Sequence, residues 1–145
     1  MKDKTAFGDA SAIAPLCLHQ ITSPRARQIL RQHPNIWVWW ATVAEVRSSF
    51  ARAVRTGRAD NKEFSRSLSK LGRLSFSWRE VEPHLKVREF AIQLLDSHPL
   101  RTGDALQLAA ALHWCKEKPR RKTFVCFDDQ LADAAKAVGF TVITS

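Results

Sequence analysis

The sequence predicts an α/β fold with a mainly parallel central sheet. Short β-prone runs alternate with amphipathic helical patterns along the chain, which is typical of strand–helix–strand units. No internal repeat, linker or low-complexity tract interrupts the alternation. A chain of 145 residues has room for one sizeable hydrophobic core, so we expect a single domain over residues 1–145.

The first half of the chain contains two predicted strands. Residues 5–8 form a weak strand candidate, followed by helices over 10–18 and 23–32. Residues 36–40 are apolar on both faces and predict a buried strand, whose three tryptophans we expect in the core or a subunit contact rather than stacked on RNA bases. An amphipathic helix follows and breaks near Gly57, and a second begins beyond it. The apolar faces of the two helices consist of Val43, Val46, Phe50 and Val54, and of Phe64, Leu68 and Leu71.

The second half alternates in the same way. Residues 74–78 alternate apolar residues with serine and predict a strand, and a helix is expected from residue 83 to about 96. Thr102 is predicted to cap a helix over 104–116, which is followed by a buried strand over 123–127. A helix closed by Gly139 and a last strand over 140–144 complete the chain.

The balance of basic and acidic residues indicates which class of binding partner to expect. The chain has 23 basic and 14 acidic side chains and a formal net charge of +9, which favours an anionic partner, with nucleic acid ahead of a membrane surface. The alternative is a generic basic surface that keeps the protein in solution. No apolar run approaches the ~20 residues that span a bilayer. Three scattered cysteines (Cys17, Cys115, Cys126) form no CxxC pair, which argues against a disulfide framework or zinc site and favours a reducing cytoplasm.

The basic residues fall into two clusters. Residues 47–73 hold eight basic side chains, and from Arg52 onward their spacing would place them in one stripe on a continuous helix. A second cluster surrounds Pro119 in a predicted loop. The side chains expected to hold a phosphate backbone are Arg52, Arg55, Arg58, Lys62, Arg66, Lys118, Arg120, Arg121 and Lys122.

Four carboxylates are predicted near strand ends. Asp9 and Asp128 each come at the end of a predicted strand, where capping of the next helix is the alternative role. Asp104 shares a helical face with apolar residues, where an unpaired carboxylate is costly. Glu45 lies in the first turns of its helix, where solvent exposure or a helix-dipole interaction is the alternative. Carboxylates gathered at one sheet edge repel each other, and hard divalent cations relieve that repulsion in metal-assisted phosphodiester hydrolysis.

Four segments together resemble the acidic motifs of PIN-domain ribonucleases, in order and over essentially the whole chain. Phe7-Gly8-Asp9-Ala10-Ser11-Ala12 is similar to the first motif, and Thr42-Val43-Ala44-Glu45-Val46 to the second. The third and most specific resemblance is Leu100-Arg101-Thr102-Gly103-Asp104-Ala105-Leu106-Gln107-Leu108-Ala109. The fourth is Phe124-Val125-Cys126-Phe127-Asp128-Asp129-Gln130-Leu131-Ala132. The chain length resembles that of VapC-type toxins of bacterial toxin–antitoxin pairs.

The resemblance implies a PIN-like three-layer α/β/α fold with about five strands. It also implies a Mg²⁺- or Mn²⁺-dependent endoribonuclease that hydrolyses RNA, with tRNA one candidate, by means of a metal-activated water. Such toxins are usually homodimers silenced by a cognate antitoxin, without a membrane partner. The acidic quartet would be Asp9, Glu45, Asp104 and Asp128, with Asp9 and Asp104 as the foremost metal ligands.

Some features depart from the family pattern or leave a choice open. The resemblance implies that the Ser11 hydroxyl would support the first aspartate, Asp9, or a metal-bound water. Gly8 replaces the bulky apolar residue usual before that aspartate, and Gly103 loosens the turn before Asp104. Asp129 competes with Asp128, which is favoured because it follows the strand more closely. The alternative function is a non-catalytic basic nucleic-acid-binding module whose aspartates only cap helices.

Overall fold

The structure, a computed structural model, describes residues 4–145, which form five strands and seven helices. The strands are β1 (Thr5–Gly8), β2 (Asn35–Trp39), β3 (Arg79–Val81), β4 (Thr123–Val125) and β5 (Thr141–Ile143). The helices are α1 (Ala10–Cys17), α2 (Ser23–Gln32), α3 (Thr42–Arg55), α4 (Asn61–Ser77), α5 (Leu85–Ser97), α6 (Thr102–Trp114) and α7 (Asp129–Val138). No helix in this range is long and apolar enough to cross a membrane.

All five strands run parallel, in the order β3-β2-β1-β4-β5. Phe7 of β1 pairs in register with Trp37 of β2 on one side and with Phe124 of β4 on the other. The chain builds the sheet outward from β1 in one direction as far as β3, and then returns to add β4 and β5 on the other side. The order therefore reverses between β1 and β4, the kind of point where parallel sheets open a crevice for ligands.

Helices cover both faces of the sheet. Successive residues of a strand point to opposite faces, so Phe7 and Phe124 pack with the helices α5, α6 and α7. Ala6 and Val125 pack on the other face with residues of α1, α3 and α4. The predicted three-layer α/β/α architecture with a central sheet of about five strands is confirmed.

Several helix boundaries agree with their sequence signals. Gly139 closes α7 in the left-handed conformation, with a φ of 114° that favours glycine. The predicted break in the basic region lies between α3 and α4, where Asp60 accepts the N–H of Glu63 in a capping box. The basic stripe is therefore carried by two helices rather than by one.

The strand predicted over 74–78 is wrong. Residues 74–77 form the last turn of α4, and the third strand follows as β3. The alternation of Leu74 and Phe76 with serines imitates a strand, but Phe76 is 94% exposed, so this alternation does not mark a buried face. Local propensity was misleading here because the helix is held by the packing of its earlier turns, where Leu71 is buried.

Other boundaries differ from the predictions as well, among them the following three. The tryptophan strand ends at Trp39, which is buried in the core, whereas Trp40 lies beyond it and is half exposed. Thr102 is the first residue of α6 rather than its cap, and Arg101 takes the cap position without a side-chain hydrogen bond. The strand predicted over 123–127 ends at Val125, which leaves a three-residue connection before α7.

Candidate active site

Asp9 and Asp128 lie at the carboxyl ends of the adjacent strands β1 and β4. Asp9 directly follows β1, and its backbone N–H donates to the carbonyl of Val125, the last residue of β4, at 2.9 Å. Asp128 comes three residues after Val125 and is the N-cap of α7. Both residues therefore stand at the point where the strand order reverses.

Asp9 is buried, and Ser11 holds its carboxylate. Asp9 is 3% exposed, and its Oδ2 accepts the Ser11 N–H at 3.0 Å and the Ser11 hydroxyl at 2.5 Å. The same hydroxyl accepts the N–H of Phe127 at 2.9 Å, which links Asp9 to the β4–α7 connection. Burial raises the pKa of Asp9 to about 6; the hydrogen bonds from Ser11 oppose the shift and the charge on Asp104 adds to it.

Glu45 points toward the other carboxylates from the first turn of α3. It is partly buried, and its Oε1 accepts a hydrogen bond from the side-chain amide of Gln107 at 3.1 Å. Burial, together with the charges on Asp9 and Asp104, raises the pKa of Glu45 to about 7, against the hydrogen bond from Gln107. The alternative of simple solvent exposure therefore does not describe this side chain.

Asp104 and Asp128 complete the group. Asp104 is half-buried in the first turn of α6; burial raises its pKa, and the charge on Asp128 raises it further, while Arg101 opposes the shift. Asp128 is partly buried, whereas Asp129 is exposed as the first residue of α7. The electrostatic contacts therefore connect Asp9, Glu45, Asp104 and Asp128 into one group, which we call the carboxylate edge.

Helix capping accounts for only part of this arrangement. Asp9 caps α1 through the Ser11 N–H, and Asp128 caps α7 by accepting the N–H of Leu131 at 2.8 Å. The alternative role predicted for these two residues is therefore present in the structure. Glu45 and Asp104 lie within the first turns of α3 and α6 and cap neither helix. Capping thus does not explain why all four carboxylates lie at the same edge of the sheet.

The carboxylate edge supplies oxygen ligands of the kind that Mg²⁺ and Mn²⁺ prefer. Burial and mutual repulsion disfavour its charged form, and a divalent cation would relieve both. Within residues 4–145, however, no three His, Cys, Asp or Glu side chains stand together as a group able to hold a metal ion. The donor set fits such an ion in chemistry and charge.

A groove leads from the carboxylate edge to two arginines. A cavity of about 390 Å³ is lined by Ser11, Glu45 and Arg52, among others. A second cavity, of about 570 Å³, shares Arg52 with the first and extends to Arg58. Gln20, Thr22 and Ser49 also line both cavities. We call these two adjoining cavities the arginine groove.

The other predicted phosphate-binding residues are placed differently. Arg55, Lys62 and Arg66 are exposed on α3 and α4 but do not line the arginine groove. The second cluster, which we call the basic loop, precedes β4 and so lies at the amino edge of the sheet, opposite the carboxylate edge. Its members are Lys116, Lys118, Arg120, Arg121 and Lys122. The fold does not bring the basic loop to the carboxylates.

The three cysteines are free and buried. Cys126 lies closest to the site, with its Sγ 3.8 Å from Asp9 Oδ2 and from the Ser11 hydroxyl. Burial raises the pKa of the Cys126 thiol, and the charge on Asp9 adds to the shift, so the group stays protonated. Cys126 therefore packs behind Asp9 rather than acting as a nucleophile.

Two polar residues at the site escaped the sequence reasoning, Thr42 and Gln107. Both are fully buried, and Gln107 Nε2 donates to the Thr42 hydroxyl at 3.0 Å as well as to Glu45. A signal for Gln107 was present, because it is a single amide in the apolar run that follows Asp104. That signal shows that the amide needs a partner, but only the fold identifies the partner.

Comparison with known proteins gives matches in structure and none in sequence. No family model matches the chain, and no curated protein matches it significantly. Among solved structures, a toxin–antitoxin complex from Klebsiella pneumoniae matches with a TM-score of 0.61 and 20% identity, over 86% of this chain and 88% of that one.

Two further structures match over nearly the whole chain. VapBC2 from Rickettsia felis, bound to a DNA fragment from its promoter, has a TM-score of 0.65 at 11% identity, and 97% of this chain and 98% of that one are covered. PAE2754 from Pyrobaculum aerophilum has a TM-score of 0.64 at 17% identity, with coverages of 99% and 90%. The chain therefore has the PIN-like fold of these proteins, and the resemblance to VapC-type PIN toxins is confirmed at the level of the fold.

Proposed function

We propose that this chain is a Mg²⁺- or Mn²⁺-dependent endoribonuclease, the toxin of a type II toxin–antitoxin pair acting in the cytoplasm. The observation that carries the proposal is the carboxylate edge at the strand-order reversal, where burial and neighbouring charges raise the pKa of Asp9, Glu45 and Asp104. Two of the structural neighbours come from toxin–antitoxin complexes, which supports the toxin role. The proposed partners are RNA, with tRNA one candidate, a cognate antitoxin and a second copy of the chain.

The carboxylates would hold the metal. Asp9 and Asp104 are the proposed direct ligands, with Glu45 and Asp128 completing the set. A bound divalent ion would lower the pKa of an attacking water and neutralise charge that develops on the phosphate. The opposed charges of the two regions support this assignment, since Glu45 of the carboxylate edge lines the groove that Arg52 and Arg58 also line.

The chain's own side chains would position the substrate. Ser11 fixes the Asp9 carboxylate against the β4–α7 connection and so limits the orientations that Asp9 can adopt. Arg52 and Arg58 lie along the groove, where guanidinium groups can pair with successive backbone phosphates. The scissile phosphodiester would then lie at the end of the groove lined by Ser11 and Glu45.

The first test is RNA cleavage with and without metal. The unaltered chain should cleave mixed cellular RNA in Mg²⁺ or Mn²⁺ and stop in EDTA. Asp104→Asn should lower cleavage at least a hundredfold while RNA binding persists, because it removes one charge from the carboxylate edge and alters little volume. Asp96→Asn, at an exposed position on α5, is the matched control and should cleave at the parental rate. Equal rates for Asp104→Asn and its parent would refute the assignment.

One observation favours the alternative of a non-catalytic binding module, namely that Asp9 and Asp128 do cap helices. That alternative predicts RNA binding without cleavage under any metal condition. It also predicts that Asp9→Asn and Asp128→Asn change stability only. Loss of binding with rising salt fits both functions and does not separate them.

The toxin role has its own test. Expression of the chain alone should arrest bacterial growth, and Asp104→Asn should relieve the arrest at equal protein level. Growth arrest that persists in Asp104→Asn would show that toxicity does not come from the carboxylate edge.

A further inference from the structure

A buried amide connects the third acidic motif to the second. Gln107 follows Asp104 by one turn of α6 and is fully buried. Its Nε2 donates to Glu45 Oε1 at 3.1 Å and to the Thr42 hydroxyl at 3.0 Å. Thr42, also fully buried, is the first residue of α3, one turn before Glu45.

The amide is oriented by the groups around it. Gln107 presents its nitrogen to Glu45, and this is the orientation that suits the ionised carboxylate, which only accepts hydrogen bonds. The second N–H of Nε2 donates to the Thr42 hydroxyl, so both hydrogens of the amide nitrogen have acceptors. The Thr42 hydroxyl lies 3.4 Å from Gln107 Oε1 as well, so this hydroxyl and the amide hold each other in place.

Core packing alone does not account for a glutamine at this position. The adjacent helical residues Ala105, Leu108, Ala109 and Ala110 are apolar and fully buried. Burying an amide costs free energy unless its hydrogen bonds are satisfied, and an apolar side chain of similar length would avoid that cost. What the amide adds is a donor directed at Glu45, a carboxylate that would otherwise be free to rotate away from its neighbours.

We propose that Gln107, held by Thr42, is a positioning residue that fixes Glu45 for divalent-cation binding at the carboxylate edge. The proposal rests on the proposed function, since it assigns the amide to the same metal site. Gln107 need not touch the ion or the RNA. It acts through Glu45, as hydrogen-bond partners behind metal ligands do when they hold a ligand in its binding orientation.

The test measures Mn²⁺ binding by calorimetry, with the melting temperature in EDTA measured alongside. Gln107→Met keeps the length and apolar volume but removes the donor, and we expect Mn²⁺ binding to weaken about tenfold. Leu108→Met, at the next and equally buried position, is the control for disturbance of α6 and should bind Mn²⁺ like the parent. A merely structural role would lower the melting temperature of Gln107→Met without changing its Mn²⁺ affinity.

A double-mutant cycle identifies Glu45 as the residue through which Gln107 acts. In a Glu45→Ala background, Gln107→Met should change the Mn²⁺ affinity less than twofold, because its target is gone. Thr42→Val should weaken Mn²⁺ binding, as Gln107→Met does. Thr42→Ser retains the hydroxyl and should bind Mn²⁺ like the parent. If Gln107→Met does not fold, the Thr42 pair decides the question by the same readout.

The outcomes separate this inference from the proposed function. If the parent binds Mn²⁺, Asp104→Asn does not, and Gln107→Met binds as tightly as the parent, the positioning role is overturned and the metal site stands. If the parent itself binds no Mn²⁺, the proposed metal-dependent function and the positioning role both fall. A tenfold loss in the Glu45→Ala background would also overturn the role, since Gln107 would then act through another group.

Discussion

The carboxylate edge and the arginine groove adjoin each other, but the carboxylates are buried or partly buried whereas the arginines are exposed. Asp9 is buried and Glu45 and Asp104 partly so, and each has a raised pKa because burial and like charges disfavour ionisation. Arg52 and Arg58 are exposed and face water. The acidic region therefore carries an electrostatic cost that a divalent cation can relieve, whereas the basic region carries no comparable cost.

The two basic clusters also differ in where they lie relative to the carboxylate edge. Arg52 lines both cavities of the arginine groove, one of which reaches Ser11 and Glu45, and Arg58 lines the other cavity. The basic loop lies at the other edge of the sheet, because β4 begins directly after Lys122 and runs parallel to β1. The net charge of +9 thus includes basic residues that line the groove beside the candidate site and others that lie at the opposite edge of the sheet.

The largest expected effect is on the stability of the metal-free protein. Asp9 has a pKa of about 6 in the folded chain against 3.8 ordinarily, so the folded state holds its proton more tightly than the unfolded state does. Stability in EDTA should therefore fall as pH rises from about 4 to about 7, and Glu45, with its pKa of about 7, contributes in the same direction. Asp9→Asn should raise the free energy of unfolding at pH 8 by roughly 2–3 kcal/mol and flatten this dependence.

Urea denaturation in EDTA between pH 5 and 8 measures this effect. The matched control is Asp133→Asn, at an exposed position on α7, which should leave the pH profile unchanged. A stability that rises over this range in the parent, or a destabilised Asp9→Asn at pH 8, would mean that ionisation of Asp9 does not destabilise the folded state.

The comparison of the two basic clusters predicts an effect of about tenfold. Arg52→Ala combined with Arg58→Ala should weaken binding of single-stranded RNA about tenfold at moderate salt and reduce the salt dependence, because two phosphate contacts are lost. Arg120→Ala with Arg121→Ala removes the same charge from the basic loop and should weaken binding less than threefold. Equal losses, measured by fluorescence anisotropy against salt, would show that the groove has no special role.

The smallest effect separates the two adjacent aspartates at the end of β4. Asp128→Asn keeps a capping oxygen for Leu131 but removes the charge that acts on Asp104, and should slow cleavage severalfold. Asp129→Asn changes an exposed residue on the same helix and should leave the rate unchanged. A slower Asp129→Asn with a normal Asp128→Asn would reverse the assignment.

Much of the fold could be predicted from the sequence because hydrophobic periodicity and capping residues are local signals. The helix α2, the break before Asp60 and the Gly139 cap were recognised in this way. The third strand was predicted in the wrong place because apolar residues and serines alternate in the exposed last turn of α4, as they would in a strand. The sequence also placed Glu45 in the first turns of its helix, and the structure shows that its side chain lies near enough to Asp9 and Asp104 for their charges to raise its pKa.

The rest of the site depends on contacts between distant parts of the chain. Gln107 meets Glu45 across 62 positions of sequence, and no local pattern encodes that pairing. The position of the basic loop likewise follows from strand order, which places the carboxyl end of β1 beside that of β4 and the loop at the opposite edge.

The melting temperature as a function of Mn²⁺ concentration tests most directly whether the carboxylate edge binds a divalent cation. At a hundred times the dissociation constant, a single site adds about 2.7 kcal/mol to the stability of the folded chain, or roughly 5–10 °C for a protein of this size. We predict this rise at pH 7.5 for the parent and for Asp96→Asn, and almost none for Asp104→Asn. A parent that does not respond to Mn²⁺, or an Asp104→Asn variant that responds as strongly as its parent, would contradict cation binding at the carboxylate edge.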